Sequence, residues 1–252
     1  LAKHPAVAKR RERGGRFDGD EILHFYRGVV EEGAALIPGG SVSVEVYADR
    51  STTAAAMLAQ GAEMFRWIPN AHIKFPANRE GLLAAERAVR DGMRVNMTLC
   101  FSQEQAAAVH AATMGAKRGD VFVSPFVGRL DDRGENGMDL VDHIITMYRQ
   151  GDRHVYVLTA SVRRLDHLLQ AVKLGSDIIT APFAVLQEWS EQGLPLPDAS
   201  FQYEAPGLRP IPYRSIDLLG EWRDYDVRHD LTDKGMERFS ADWNALIGKI
   251  AA

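Results

Sequence analysis

Residues 71–99 read AHIKFPANREGLLAAERAVRDGMRVNMTL, and they decide the fold. A short apolar run over 71–75 is followed by an amphipathic stretch over 79–91 and then by a second apolar run over 94–99. Short apolar runs bounded by glycine and proline are typical of buried strands, and the longer periodic stretch between them is typical of a helix. The segment therefore predicts a βαβ unit, in which two parallel strands are joined by a helix.

The same alternation recurs along the chain and predicts six strands. We place strands over 41–47, 71–75, 94–99, 120–124, 154–160 and 177–180, and helices over 52–64, 79–91, 103–114, 140–149, 165–174 and 185–192. Strand starts recur every 23 to 34 residues, which brackets the roughly 31 expected for eight units in about 250 residues. The pattern predicts an α/β fold of the (βα)8 TIM-barrel type. A doubly wound sheet is the alternative, but no GxGxxG follows any strand.

Two further helices flank the repeats. Asp18 and Asp20 begin an amphipathic stretch that ends before Pro38, which predicts a helix ahead of the first strand. Residues 206–214 are rich in proline and predict a loop, and a terminal helix with its cap near Thr232 follows. No linker divides the chain, so we expect residues 1–252 to form a single domain.

Composition excludes several classes of protein. The net charge of −4 arises from 30 basic and 34 acidic residues spread along the chain, which argues against nucleic acid as a partner. No apolar stretch of about 18 residues occurs, so we expect no membrane segment and a cytoplasmic protein. Cys100 is the single cysteine, which excludes an intrachain disulfide, suits a reducing compartment and is better explained by packing than by nucleophilic chemistry. The eight histidines show no HxxxH spacing and no cluster with aspartate, so we expect no metal site.

Polar side chains stand at the carboxyl ends of nearly all the predicted strands, where barrel enzymes place their chemistry. They are Glu45, Lys74, Asn96, Thr98 and Ser124, with Ser161 and Arg163 just beyond the fifth strand. Lys74 lies between Ile73 and Phe75, which must face the other way, so its amine points into the interior. A poorly hydrated amine is uncharged more often than one in water and can attack a carbonyl. The alternative is that a lysine in a strand is merely paired or extends its charge to solvent.

Arginines follow the later strands, where barrels often bind phosphate. Arg129, Ser161 and Arg163 stand there, and guanidinium groups match the geometry of phosphate oxygens. Surface ion pairs are the alternative explanation for the two arginines.

These residues lie within longer sequence motifs, and together the motifs resemble the transaldolase family in order and spacing. The motifs are VSVEV (42–46), IKFPAN with EGL (73–82), VNMTLCFSQEQA (95–106), SPFVGRLDDRG (124–134), ASVR (160–163) and TAPF (180–183). The resemblance implies a Schiff base between Lys74 and a ketose phosphate. It implies further that Glu45 and Thr98 hold the water that shuttles protons during imine formation.

The resemblance also implies the substrate contacts. Asn96 and Ser124 would contact the hydroxyls of a dihydroxyacetone unit, and Arg129, Ser161 and Arg163 would bind the sugar phosphate. The implied reaction moves that unit from fructose 6-phosphate or sedoheptulose 7-phosphate to an aldose phosphate, without a metal or organic cofactor. The sequence is compatible with a homo-oligomer and does not determine the oligomeric state. Phe126 and Glu45 stand where related fructose 6-phosphate aldolases typically have tyrosine and glutamine, which favours the transferase.

One departure from the family pattern concerns its beginning. The pattern opens with a strand that carries a catalytic aspartate and continues with a strand that ends in a TTNP-like motif, and neither is in this chain. We therefore expect a barrel from which the first two βα elements are missing. We expect a piece of a longer protein rather than a truncated relative, because an open edge of buried strands invites aggregation. The remaining alternatives are a free aldolase and a non-catalytic barrel that binds a sugar phosphate.

Overall fold

A computed structural model describes residues 4–13 and 17–247 of the chain. The strands are β1 (Val42–Glu45), β2 (Ala71–Pro76), β3 (Val95–Cys100), β4 (Val121–Pro125), β5 (Val155–Thr159) and β6 (Ile178–Ile179). The helices are α1 (Pro5–Glu12), α2 (Gly19–Leu36), α3 (Ala54–Met64), α4 (Arg79–Arg90), α5 (Gln103–Ala112), α6 (Val127–Asp131), α7 (Gly137–Tyr148), α8 (Leu165–Leu174), α9 (Phe183–Glu191) and α10 (Asp230–Leu246), and a single 3-10 turn spans Trp222–Asp224.

The six strands form one parallel sheet in the order in which they occur in the chain. At least one helix separates each strand from the next, as in a (βα)8 barrel. The six predicted strands are confirmed, although β6 is reduced to two residues. Six strands in this order form part of a barrel, and an eight-stranded ring requires two more.

The two faces of β2 differ in what they contact: one faces the surrounding helices and the other faces the inside of the partial barrel. A Cβ added to Gly61 of α3 would lie 2.9 Å from Ile73 and 3.1 Å from Phe75, so these two side chains face the helices. His72 and Lys74 point to the opposite, inner face because side chains alternate along a strand. There His72 stacks on Phe122, with ring centroids 4.0 Å apart. An aromatic layer therefore fills the lower part of the inner face beneath the lysine.

Helix α10 rests on the carboxyl end of β3. Leu99 has a φ of 57° where the register between β3 and β4 shifts, and its carbonyl oxygen accepts a hydrogen bond of 2.9 Å from the Thr232 hydroxyl. A Cβ on Gly235 would lie 2.5 Å from Leu99, so only glycine permits this close approach. The buried amide of Gln105 also donates to Thr232. The bulge in β3 thus gives α10 its position over the inner face.

Some local predictions are wrong. Thr232 does not cap the terminal helix, because its hydroxyl donates to the carbonyl oxygen of Leu99 in β3. The cap is His229, whose Nδ1 accepts a hydrogen bond from the backbone of Leu231. Helices α1 and α6 were not predicted, since α1 lacks an apolar periodic face and α6 has only five residues. By contrast, Asp18 caps α2 with a reciprocal bond to Glu21, as expected from its sequence.

Within the part of the chain that the structure describes, no helix is long and apolar enough to span a membrane.

Candidate active site

Lys74 and Glu45 face each other across two neighbouring strands. Their Cα atoms are paired in the register of β1 and β2, and Nζ of Lys74 lies 3.5 Å from Oε2 of Glu45. The lysine side chain is 21% exposed and the glutamate 34%. The amine is therefore better hydrated than its sequence context predicted, because β1 has no strand on its other side among the described residues. The carboxylate lies within reach to exchange a proton with the amine.

A hydrogen-bonded row lies beside the lysine on the inner face. The Ser124 hydroxyl donates to Oδ1 of Asn96 at 2.7 Å, and Nδ2 of Asn96 donates to the Ser43 hydroxyl at 2.9 Å. Asn96 and Ser124 are buried. This row fixes the orientation of the Asn96 amide, whose residue is paired with Lys74 in the register of β2 and β3. Ser43 was missed from the sequence, although its position two residues before Glu45 puts it on the same face.

Thr98 stands one step further along β3 than Asn96 and shares its face. Its side chain is fully buried, and its hydroxyl has no hydrogen-bond partner among the described residues. A buried hydroxyl without a partner is unfavourable. Thr98 is therefore a group in the site whose bonding capacity the fold leaves unused.

Arg129 of α6 provides a positive charge that makes no ion pair with any residue the structure describes. Burial lowers the pKa of its guanidinium, and the charges of Arg238 and Arg163 lower it further. Within residues 4–13 and 17–247 no carboxylate forms an ion pair with it, and its guanidinium instead lies over the rings of Phe126 and Phe239 at 5.7 and 5.5 Å. The carboxylates of Asp132 and Glu45 act on this pKa in the opposite direction, from a greater distance than an ion pair. A half-buried guanidinium without a bonded carboxylate is suited to binding an anion. Arg238 and Phe239 come from α10, and no feature of the sequence indicated them.

Ser161 and Arg163 lie directly after the bridge that follows β5. Ser161 has a φ of 57°, a strained conformation for a residue with a side chain, and its carbonyl oxygen accepts from the backbone of Gly128 at 3.0 Å. A Cβ on Gly128 would lie 2.5 Å from both that oxygen and the Arg163 side chain. Arg163 is half exposed and forms an ion pair of 2.8 Å with Asp132. The surface ion pair considered from the sequence thus exists, next to Arg129.

Phe126 and Cys100 are both buried near the carboxyl ends of β3 and β4. Phe126 is buried and its ring packs edge-on against Phe101, with centroids 5.8 Å apart. Cys100 is fully buried, and burial raises the pKa of its thiol to about 12, which agrees with the expected packing role.

A cavity of about 460 Å³ opens beside Glu45, between β1, α2 and α10. Its walls include Tyr26, Leu99, Phe239 and Trp243, and Lys74 is not among them. Tyr26 also accepts a hydrogen bond of 2.9 Å from the backbone of Glu45, on the free edge of β1. The cavity therefore does not contain the amine of Lys74. Glu45 lies between the two, since it lines the cavity and also contacts the amine.

Comparison with known proteins identifies the family of the chain. The sequence model of the family described as transaldolase/fructose-6-phosphate aldolase matches residues 20–250. The chain belongs to the transaldolase/fructose-6-phosphate aldolase family.

Individual relatives match over most of their length. A protein named probable transaldolase from Dehalococcoides mccartyi is 36% identical over 226 residues, which cover 90% of this chain and 83% of the relative. Proteins of the same name from Roseiflexus castenholzii and Brucella ovis are 36% and 37% identical over 220 and 232 residues, which cover 87% and 91% of this chain and 80% and 86% of the relatives. The expected family is thus confirmed, and the expectation of an enzyme is supported at the level of the transaldolase/fructose-6-phosphate aldolase family.

Proposed function

We propose that this family member is a transaldolase, which transfers a dihydroxyacetone unit from fructose 6-phosphate or sedoheptulose 7-phosphate to an aldose phosphate. The observation that carries the proposal is the amine of Lys74, 3.5 Å from a carboxylate on the inner face of a parallel sheet. The same end of the sheet carries the ordered amide of Asn96, and, among the described residues, the Thr98 hydroxyl makes no hydrogen bond and Arg129 makes no ion pair. In Schiff-base chemistry on a sugar phosphate, the amide would contact the substrate hydroxyls, the Thr98 hydroxyl would hold the water that carries protons, and Arg129 would bind the phosphate.

The first step is formation of the imine. Glu45 takes a proton from the Lys74 ammonium, and the free amine adds to the C2 carbonyl carbon of the ketose. The carbinolamine then loses its hydroxyl as water after that oxygen is protonated, with Glu45 returning the proton. The Thr98 hydroxyl has an unused lone pair and proton, and it positions the water that carries protons between these groups.

Cleavage of the carbon chain follows. The electron pair of the C3–C4 bond moves towards the protonated imine nitrogen, while the C4 hydroxyl loses its proton and the aldose phosphate leaves. The remaining enamine holds the three-carbon unit on Lys74, where Asn96 and Ser124 contact its hydroxyls. An acceptor aldehyde reverses the step, and hydrolysis of the new imine frees the enzyme. In the family pattern the C4 proton is taken by an aspartate that lies upstream of the motifs found here.

The phosphate of the substrate binds at the arginine cluster. Arg129 supplies a partly buried guanidinium, and Arg163 and Arg238 lie close enough to lower its pKa. An incoming phosphate replaces Asp132 as the partner of Arg163, and the side chain of Ser161 adds a hydroxyl. Phosphate dianion binding to arginine is stronger than an exposed ion pair because each guanidinium can donate two bonds.

Glu45 and Phe126 favour transfer over free aldol cleavage. Glu45 is a carboxylate that can serve as an acid and base beside the amine, whereas an amide in its place could not. Phe126 is apolar and buried against Phe101, and it leaves no phenol at this position to activate water. Premature hydrolysis of the enamine is thereby slowed until an acceptor arrives.

Turnover assays test this function. Purified protein that includes the upstream aspartate strand of the family pattern is supplied with fructose 6-phosphate, with and without erythrose 4-phosphate. Sedoheptulose 7-phosphate and free dihydroxyacetone are both measured. We expect turnover that depends on the acceptor, and its loss in the variant Lys74→Arg because a guanidinium does not form the imine. Equal release of dihydroxyacetone with and without acceptor would identify a free aldolase. Tight binding of fructose 6-phosphate without any product would identify a sugar-phosphate-binding barrel.

A further inference from the structure

Two buried histidines and a carboxylate meet at the end of the sheet opposite the lysine. His110 belongs to α5, Asp152 to the loop before β5, and His154 directly precedes β5. Nε2 of His110 lies 3.2 Å from Oδ1 of Asp152, and Nδ1 of His154 lies 2.5 Å from the same oxygen. The two histidine side chains are 2% and 3% exposed, while the carboxylate is 47% exposed. The proposed reaction at Lys74 uses none of the three.

The hydrogen bonds of Thr113 determine the tautomer of His154. The Thr113 hydroxyl donates its single proton to the carbonyl oxygen of Val109 at 2.7 Å, so it must accept at its 2.9 Å contact with Nε2 of His154. That contact fixes a proton on Nε2 and turns Nδ1 towards the carboxylate. A ring nitrogen that faces a carboxylate oxygen requires a cation at that position, which is either a proton or a metal ion. A histidine held through its other nitrogen is typical of a metal ligand.

His110 has ligating capacity that the protein does not use. Neither of its ring nitrogens has a hydrogen-bond partner among the described residues, although both are buried. Its Nε2 approaches Asp152 closely but without the alignment of a hydrogen bond. The backbone of Leu218 also approaches the ring, again without the alignment of a hydrogen bond. A buried imidazole that lies against a carboxylate oxygen without a well-aligned bond calls for an explanation beyond packing.

We propose that His110, Asp152 and His154 bind a divalent transition metal, for which Zn2+ is the representative ion, with water as a fourth ligand. Two imidazole nitrogens and one carboxylate oxygen are a common ligand set for such ions. The three ligand atoms lie within 4.8 Å of one another. Bonds of about 2.0–2.2 Å to a tetrahedral ion separate neighbouring ligands by roughly 3.3 Å. The separation of His110 and Asp152 matches this value, and the half-exposed Asp152 has to move by under about 1 Å from His154.

The surroundings leave room for the ion and its water. A cavity of about 310 Å³ borders His110, Gly151 and Asp152, so one side of the cluster is accessible. Gly151 has no side chain, and a Cβ there would lie 2.6 Å from Nε2 of His110. A glycine at this position thus keeps the ligating nitrogen accessible.

The bound ion would join α5 to the start of β5. The end of a barrel away from its chemistry serves stability, so the ion is structural and raises the thermal stability of the fold. The sequence predicted no cluster of histidine with aspartate, and the structure corrects that expectation. His110 and His154 are 44 residues apart, and only the pairing of the parallel strands brings them together.

Cobalt and zinc binding to the chelator-treated protein test the proposal. We expect one Co2+ per chain with the visible bands of a four-coordinate ion, and a Tm that rises with the concentration of Zn2+. Both effects should disappear in His110→Gln and in His154→Gln. They should persist in His143→Gln, which removes a partly buried histidine outside the cluster. Imine formation at Lys74 should be unchanged in all three variants, so this test is independent of the proposed function.

A second variant covers the case in which the histidine variants do not fold. Gly151→Ala retains all three ligands but fills the space beside His110, and we expect at least a tenfold loss of Co2+ affinity with an unchanged circular dichroism spectrum. Absence of Co2+ binding by the wild-type protein would overturn the proposal, as would equal binding in wild type and His154→Gln. The cluster would then be a proton-bridged clamp between α5 and β5.

Discussion

The hydroxyl of Thr98 is the most informative single group beside Lys74. It is fully buried and has no hydrogen-bond partner among the described residues. The hydroxyl therefore adds little to the free energy of unfolding or lowers it. Its position, one step along β3 from an amide held by two serine hydroxyls, is explained better by chemistry than by stability.

Thr98→Val separates these two roles. Valine has a similar shape and lacks the hydroxyl, so we expect the free energy of unfolding to stay within about 1 kcal/mol of the wild type or to rise. Imine formation should slow by roughly 10- to 100-fold because the water that carries protons loses its anchor. Stopped-flow kinetics of imine formation and urea unfolding measure the two effects. A variant that unfolds easily but reacts at the normal rate would make Thr98 a structural residue.

The two arginines near β5 differ in their partners, and this difference predicts unequal effects on substrate binding. Arg129 has no carboxylate in ion-pair range among the described residues, whereas Arg163 is bonded to Asp132. We expect Arg129→Ala to raise KM for fructose 6-phosphate by at least about tenfold, and Arg163→Ala by a few-fold. Steady-state kinetics checks this, with Arg149→Ala as an exposed control. An unchanged KM in Arg129→Ala would remove the arginine from the phosphate site.

At the scale of elements, α10 is positioned by one close contact. Gly235 lies against Leu99, where an added Cβ would approach to 2.5 Å, and Nη1 of Arg129 lies 3.0 Å from the same point. The helix therefore couples the end of β3 to the arginine cluster.

Gly235→Ala tests that coupling. The added methyl group should lower the free energy of unfolding by about 1–3 kcal/mol and raise KM for phosphorylated sugars, since α10 must move away from Arg129. Gly28→Ala is the matched control, because nothing lies within 4 Å of a Cβ there and alanine favours the helix by about 0.5–1 kcal/mol. Thermal unfolding of both variants measures the difference in stability. If Gly235→Ala were as stable as Gly28→Ala, α10 would not be held by this contact.

Local sequence predicted the elements better than their contacts. Apolar runs located all six strands because the central strands of a parallel sheet are buried on both faces, as in β3 and β4, and the outer strands keep the same apolar character. The five-residue helix α6 was missed since it is too short to show a helical period. The side chains from α10 at the arginine cluster were missed for another reason. Arg238 lies more than 100 residues from Arg129, and no local pattern encodes that contact.

The exposure of Lys74 was misjudged for a similar reason. The sequence placed Ile73 and Phe75 against the helices, and that placement is confirmed by their contacts with α3. The expectation of a poorly hydrated amine assumed a closed ring, although the same sequence lacks the two elements ahead of β1. In the described sheet β1 is an edge strand, which leaves Glu45 one-third exposed. Hydration of a site depends on the elements around it, and these are distant in sequence.

For the molecule as a whole, charge is distributed unevenly. The net charge is −4, yet Arg129, Arg163 and Arg238 gather at one end of the sheet. Asp132 and Glu45 lie close enough to offset part of this charge, and the three guanidinium groups leave a local excess of positive charge, whose field attracts anionic substrates.

The field predicts that KM depends on salt. Raising the ionic strength from about 0.01 to 0.3 M shortens the screening length several-fold, so KM for erythrose 4-phosphate should rise several-fold. KM for the neutral acceptor glyceraldehyde should change little. Initial rates in KCl series measure both. A parallel change for the two acceptors would assign the effect to general destabilisation rather than to the arginine cluster.

The proposed mechanism depends on a covalent imine between the amine of Lys74 and a ketose phosphate. Borohydride reduction followed by peptide mapping shows whether this imine forms. Imine formation does not require the base that removes the C4 proton, so the measurement is valid whether or not the chain completes the transfer. We expect a mass increase on fructose 6-phosphate treatment that maps to Lys74 and is absent from Lys74→Arg. An adduct on another lysine, or an adduct that persists in Lys74→Arg, would contradict the account.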